Sequence, residues 1–306
     1  DHAELGPRGM LGDRLWAVRD LERDVTASAR QLPVLLTATA RYVAPVSTDA
    51  GPGNVPEVEI TFPDGAVVSS SDDGVHTKLS ELAGRDLRLT ALPPAEDTSL
   101  HKLTRAERSE TMSPKSLRAA FGVADDEKLP DLSMVRVSDV IGFARYSTPP
   151  GTFVDLAPVH VLSKTSLATI GAEIGSDMDV RRFRPNVLLA LDDPDDGLPE
   201  SHWTAARVML GEAVLDVMMP TVRCVVPSRA QPGFEVDRRI TKAVAVRAQR
   251  CLGVYCGVES GGTVRVGDDV SVRPPNAGKK VLADAARRAK RVTFGLVTGA
   301  TERFSR

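Results

Sequence analysis

Short apolar runs punctuated by turn residues set the limits on what this chain can fold into. VEITF and AVVSS, residues 58–62 and 66–70, flank Pro63-Asp64-Gly65, a strong hairpin signal. Similar runs predict strands in DRLWAVRD (13–20), VTASAR (25–30), LRLTAL (87–92) and PVHVL (158–162). RFRPNVLLAL (182–191), VMLGEAVLDVMM (208–219) with a turn at Gly211, and VRCVV (222–226) extend the series. LGVYCGVESGGTVRVGDDVSV (252–272) reads as a hairpin across SGG with a second tight turn at GDD. Helices come between the strands. DDGVHTKLSELAG (72–84) ends on Gly84, SPKSLRAAFG (113–122) starts on a Ser113 cap with Pro114 behind it, and SKTSLATIGAEIG (163–175) starts on Ser163. DRRITKAVAVRAQR (237–250) is helical in pattern. Many short strands with helices interspersed predict an α+β, β-rich fold with barrel-like domains, not a doubly wound parallel sheet.

The 306 residues suffice for two domains. Residues 1–92 read as a first β domain and 93–150 as a connecting insertion packed on the domains. Residues 151–273 read as a second β domain with peripheral helices, and 274–306 as a basic helical tail. In that tail Lys279, Lys280, Arg287, Arg288, Lys290 and Arg291 accompany a single acid, Asp284, up to Arg291. An acidic partner or an anionic membrane surface is one reading of it, a solvated helix the other.

A net charge of −2 and 4% aromatic residues argue against nucleic acid. No apolar run reaches membrane-spanning length, and no secretory signal opens the chain. Three cysteines, Cys224, Cys251 and Cys256, fit a reducing, cytoplasmic setting and match neither a zinc ribbon nor a ferredoxin loop. The five histidines are scattered and read as structural or exposed. Phosphate-loop, dinucleotide and nucleophile-elbow signatures are absent.

Cys224 directly follows Arg223 inside an apolar run, where a cysteine is by default a small buried hydrophobe. Its company changes that reading. The ordered set GDRLW (12–16), RFRPN (182–186), VRC (222–224) and TVRVGDDV (263–270) resembles the MOSC family, named for the C-terminal part of molybdenum-cofactor sulfurase. With LGVY (252–255) and LSELAGRDLRL (79–89) the resemblance runs from about residue 5 to 273, and the nearest functional group is the amidoxime-reducing one.

The resemblance implies an N-terminal β-barrel domain followed by a MOSC β-barrel. It implies the molybdenum cofactor, a molybdopterin, with Cys224 as the protein ligand to the metal and no pyridoxal phosphate. Arg14 and Arg184 match residues that hold the pterin phosphate and ring; Asn186 and Arg223 lie in the same motifs. Guanidinium groups suit phosphate because they bind bidentately and keep their charge. A thiolate suits a soft metal already held by sulfur, and positive neighbours favour the anionic form of a thiol. Cys251 and Cys256 read as packed thiols.

The chain also departs from the pattern. The family's opening strand and Pro-Val-Lys-Ser type turn are not found before GDRLW: either the sequence starts inside the domain, or this protein lacks its first barrel strand and one cofactor-contacting lysine. Leu156 and Ala157 replace hydroxyl residues before Pro158, although Asp155 is retained. VVPSRAQPG (225–233) replaces an acidic stretch. The implied activity is reduction of small N-oxygenated substrates such as hydroxylamines or amidoximes. Electrons would come from a separate ferredoxin- or flavoprotein-type donor, since no cysteine set for a fused ferredoxin is present. The alternatives are a non-catalytic carrier of cofactor or sulfur, and a module that keeps the fold without the cofactor.

Overall fold

The computed structural model describes residues 2–275, apart from 112, 126, 128, 131–141, 143–144 and 193–196. The basic tail anticipated at Lys279–Arg291 lies outside the described residues. The fold is α+β and β-rich, with curled sheets, one of them a half-barrel. No helix among the described residues is long and apolar enough to cross a membrane.

In chain order the strands are β1 (His2–Gly6), β2 (Gly9–Met10), β3 (Trp16–Asp20), β4 (Val25–Thr26) and β5 (Thr39–Tyr42). β6 (Val58–Thr61), β7 (Val67–Ser69) and β8 (Leu87–Ala91) follow, with helix α1 (Gly74–Ala83) between the last two. Two small antiparallel sheets, β4-β3-β8 and β5-β6-β7, face α1. Val58, Ile60, Val75, Leu79, Leu87 and Leu89 make their shared core. β6 and β7 are the hairpin expected around PDG, and Gly84 ends α1 in the left-handed conformation. The run VTASAR keeps only two strand residues, because Ser28 turns the chain by accepting from Arg30 N.

Helices α2 (Arg105–Thr111) and α3 (Pro114–Phe121) occupy the connecting segment. Ser113 caps α3 by accepting from Ser116 N, as its sequence predicts. This segment touches both sides: Glu107 pairs with Arg23, while Phe121 O accepts from Arg250.

Beyond residue 158 lie β9 (Val159–Ser163), α4 (Lys164–Ile174), β10 (Val187–Leu189), β11 (Arg207–Leu210) and β12 (Ala213–Val222). α5 (Arg238–Arg247), β13 (Cys251–Ser260), β14 (Gly262–Arg265) and β15 (Val270–Arg273) complete the set. Six strands form one sheet in the order β10-β9-β13-β12-β11-β15. Only β9 and β10 run parallel, joined through α4. Burial alternates along β12, and its register shifts against β13 mark bulges that bend the sheet. β9 is buried at all five positions because α4 and the sheet's other layer cover both faces.

Three expectations fail here. VRCVV is not a strand: β12 stops at Val222, and a 3-10 turn at Val226–Ser228 follows Cys224. RFRPNVLLAL yields only β10, since Val180–Arg182 form a 3-10 turn and Arg184 takes a left-handed backbone. The hairpin across SGG does not form either. β13 pairs with β12 and β9, whereas β14 pairs with β1 and β15 with β11. Leu5 of β1 accordingly joins the core made by β9–β13.

Candidate functional site around Cys224

Just past the end of β12 the chain leaves the sheet. Arg223 turns inward. Its Nη2 donates to Phe183 O at 2.9 Å, its Nη1 to His160 Nε2 at 3.3 Å, and its guanidinium lies 5.2 Å from the centre of the Phe183 ring. Its Nε is buried and has no hydrogen-bond partner among the described residues. Cys224 is a half-buried free thiol, and Val225 N behind it donates to Ala120 O of α3.

Arg14 and Arg184 arrive from far apart and share an unusual backbone. Both are left-handed, with φ of 54° and 52°, a region that costs an L side chain energy and recurs at functional sites. Arg184 follows the 3-10 turn and donates its N–H to Val180 O. Asn186, two residues on, ties three segments together. Its Oδ1 accepts from His160 N at 2.9 Å, its own N–H donates to His160 O, and its Nδ2 donates to Asp13 Oδ2 at 2.9 Å. Asp13 in turn lies 3.7 Å from Arg14 Nε.

Asp155, on the loop before β9, is the carboxylate around which the charges gather. Arg30 Nη2 lies 3.8 Å from it. Crowding by protein works against its charge, but Arg30, Arg14, Arg223 and Arg184, in falling order, outweigh that and hold the carboxyl below its usual range. The Asp155 side chain is nevertheless 63% exposed and that of Arg30 37%. Tyr255, on β13, is pushed up to about 12, first by burial and then by Asp155, so its hydroxyl keeps its proton. Burial also holds the His160 imidazole well below its ordinary value, helped by Arg223, so the ring is neutral.

Two hollows adjoin these residues. One, behind Cys224, is lined by Arg223, Thr241, Arg250 and the apolar side chains of Pro227, Ile240 and Val244. The other is a cavity of about 280 Å³ beside the 4–15 segment, with Thr152 opposite and Arg14 on its wall.

The structure thus brings Arg14, Arg184, Asn186, Arg223 and Cys224 into one neighbourhood. Four guanidinium groups, Arg30 included, stand against the carboxylates of Asp13 and Asp155. Such an excess of fixed positive charge suits an anion. Among the described residues no group of three or more His, Cys, Asp or Glu could hold a metal. A metal beside Cys224 would have to bring most of its ligands with it. Cys251 is half-buried on β13, and Cys256 is fully buried in the sheet's core.

Sequence reasoning missed Arg30, His160 and the role of Asp13. Arg30 sits in a turn with no motif around it. His160 carried a readable signal, a lone polar residue in the apolar run PVHVL, and it is buried at the site rather than a bystander.

Residues 149–271 match the MOSC domain. A stretch of 131 residues is 22% identical to mitochondrial amidoxime reducing component 2 of Rattus norvegicus, covering 39% of this chain and 37% of that protein. The chain therefore spans little more than a third of the length of that curated relative. Among solved structures the YUAD protein from Bacillus subtilis is similar at 19% identity and a TM-score of 0.33, covering 41% of this chain and 69% of that one.

Proposed function

With residues 149–271 a MOSC domain, we propose that this chain binds the molybdenum cofactor and with it reduces small N-oxygenated compounds, using electrons from a separate protein. One observation carries the reading: a half-buried thiol, Cys224, stands at the edge of a cluster of four arginines that the protein's own acids do not neutralise. The donor set fits the group. Cys224 supplies a thiolate to a soft metal, and Arg14 and Arg184 supply guanidinium donors to a terminal phosphate. The buried Nε of Arg223 is a further donor without a partner among the described residues.

When bound, the cofactor supplies two-electron oxygen-atom-transfer chemistry. The chain's own residues set the conditions for it. Converting a hydroxylamine to an amine and water consumes two electrons and two protons. Tyr255 stays protonated and Asp155 ionised, so the charge cluster around Cys224 includes one hydrogen-bond donor and one hydrogen-bond acceptor. Arg30 and Arg223 keep positive charge next to the thiol. The similarity to an amidoxime reducing component supports the substrate class, and the electron donor is a distinct protein in this reading.

The test is expression in a host that makes the cofactor, followed by metal and pterin analysis and turnover of a hydroxylamine with an artificial electron donor. Cofactor with turnover is the expected result, and Cys224→Ser should abolish turnover while the protein stays folded. Bound cofactor without turnover in the parent would make the chain a carrier, and no cofactor at all would end the proposal.

A further inference from the structure

β9, buried on both faces, carries at His160 a residue that packing does not explain. Val159, Val161 and Leu162 are fully buried and apolar, yet His160 between them is 4% exposed and polar. A leucine would serve the core at less cost, because an imidazole in that setting needs hydrogen-bond partners. The surroundings are shaped for the ring. Gly253, on the neighbouring strand β13, has φ +79°, and a Cβ there would stand 2.5 Å from His160 Nε2 and 2.6 Å from Val161 O, so a side chain there would displace the imidazole. The Tyr255 ring flanks it at 5.7 Å, tilted by 60°. Asn186 grips the His160 backbone at both its N–H and its carbonyl. What the ring does with this placement is accept from Arg223, at 3.3 Å. An arginine only donates, so in this contact Nε2 is the bare nitrogen and Nδ1 carries the proton.

We infer that His160 is the positioning residue of the Cys224 site, its Nε2 fixing the Arg223 guanidinium beside the thiol. The Arg223 guanidinium has two fixed points on the protein, Phe183 O and His160, and its Nε is buried without a partner among the described residues. Removing the His160 acceptor frees one end of the guanidinium and lets it swing about the Phe183 contact. The backbone carbonyls of Leu252 and Arg184 also lie by the ring and favour an N–H on it, so the competing arrangement is an Nε2–H turned away from Arg223. The role in cofactor retention rests on the function proposed above; the geometry does not.

The experiment therefore has two arms. In the cofactor-free chain, labelled with ¹⁵N-histidine and ¹⁵N-arginine, NMR at pH 7 reads the His160 tautomer and the Arg223 Nε–Hε signal. The Nδ1–H tautomer is expected. The Arg223 signal should be sharp and exchange-protected in the parent and in His160→Gln, whose amide oxygen replaces the acceptor, and broadened in His160→Leu. An Nε2–H tautomer, or an unaltered Arg223 signal in His160→Leu, overturns the inference whether or not any cofactor binds. In the second arm the same variants come from a cofactor-making host. His160→Leu should carry at least fivefold less pterin and metal per chain, with His160→Gln within twofold of the parent. Equal loading in all three overturns the role in retention. A parent with no cofactor counts against the proposed function alone, and if His160→Leu fails to fold, the tautomer and His160→Gln decide.

Discussion

Asn186 Nδ2 donates to Asp13 Oδ2 across 173 residues of chain, joining the two motifs that supply the site's left-handed arginines. The same amide accepts from His160 N, so one side chain holds the RFRPN segment, β9 and the GDRLW turn in register. Replacing it strands a backbone donor and a carboxylate at once. Asn186→Ala should cost about 2 kcal/mol of unfolding free energy, within the range for a hydrogen bond to a charged group. Urea denaturation of the cofactor-free chain measures it. A change within a few tenths of a kcal/mol would mean that the three segments hold together without the clamp.

Arg184 should show stability and binding moving in opposite directions. Its φ of 52° costs a non-glycine residue roughly 1 kcal/mol, and burial together with Arg14 works against its charge. Arg184→Gly should therefore leave the cofactor-free chain as stable as the parent or raise its melting temperature. Loss of a charge-assisted contact, about 1.5–3 kcal/mol, should still lower cofactor occupancy. Arg184→Ala keeps the backbone strain and should melt below Arg184→Gly. A collapse of the glycine variant's stability would instead mark Arg184 as a structural residue.

The three thiols should separate by reactivity. Burial pushes the Cys256 thiol up to about 12, so at pH 8 it is both protonated and out of reach. Iodoacetamide on the native chain should label Cys224 and spare Cys256 until denaturant is added, as read by peptide mass. Comparable labelling of Cys256 in the folded protein would contradict the core assignment. Cys256→Ser should also destabilise by about 1–3 kcal/mol through its buried hydroxyl, so the half-buried Cys251 is the better control for Cys224→Ser.

Mild acid should weaken the fold through two histidines. Burial holds His101 and His160 below their ordinary value, and Arg223 lowers His160 further. Below about pH 6.5 the unfolded chain takes up protons that the folded one refuses, so stability falls as pH drops from 6.5 toward 5 and is unaffected above that window. Each ring contributes at most about 1.4 kcal/mol per pH unit. His160→Gln should flatten the slope measured by chemical denaturation between pH 5 and 6.5. An unchanged slope would show that folding does not lower the pKa of His160.

Local chemistry made much of this fold readable. The PDG hairpin, the Ser113 and Ser163 caps and the glycines ending α1, α3 and α4 depend on neighbours a few residues away, and each forms where its sequence predicts. Partner choice among distant strands was not readable. SGG marks a turn, but β14 pairs with β1 because the bent sheet leaves β13 between β12 and β9. At the site, Arg14, Arg184, Asn186, Arg223 and Cys224 stand in short motifs and could be named from them. Arg30 could not, since only the tertiary fold sets it against Asp155. VRCVV misled by composition: valines on either side suggest a strand, but the chain leaves the sheet before Cys224, which exposes the thiol.

The pairing of β1 with β14 has a consequence for how the protein is made. Ala3 lies opposite Val264, and Leu5 opposite Gly262. At synthesis rates of about 5–20 residues per second, β1 emerges from the ribosome roughly 15–50 s before its partner exists. During that time its edge is open and Leu5 has none of the β9–β13 core to enter. Strand Glu4 reduces the risk of that edge pairing with another chain, since charge on an unpaired strand discourages such association. Closure of β1 onto β14 thus waits until residues 262–265 have been made, and the turn carrying Arg14, attached to that strand through β2, takes its final place only then.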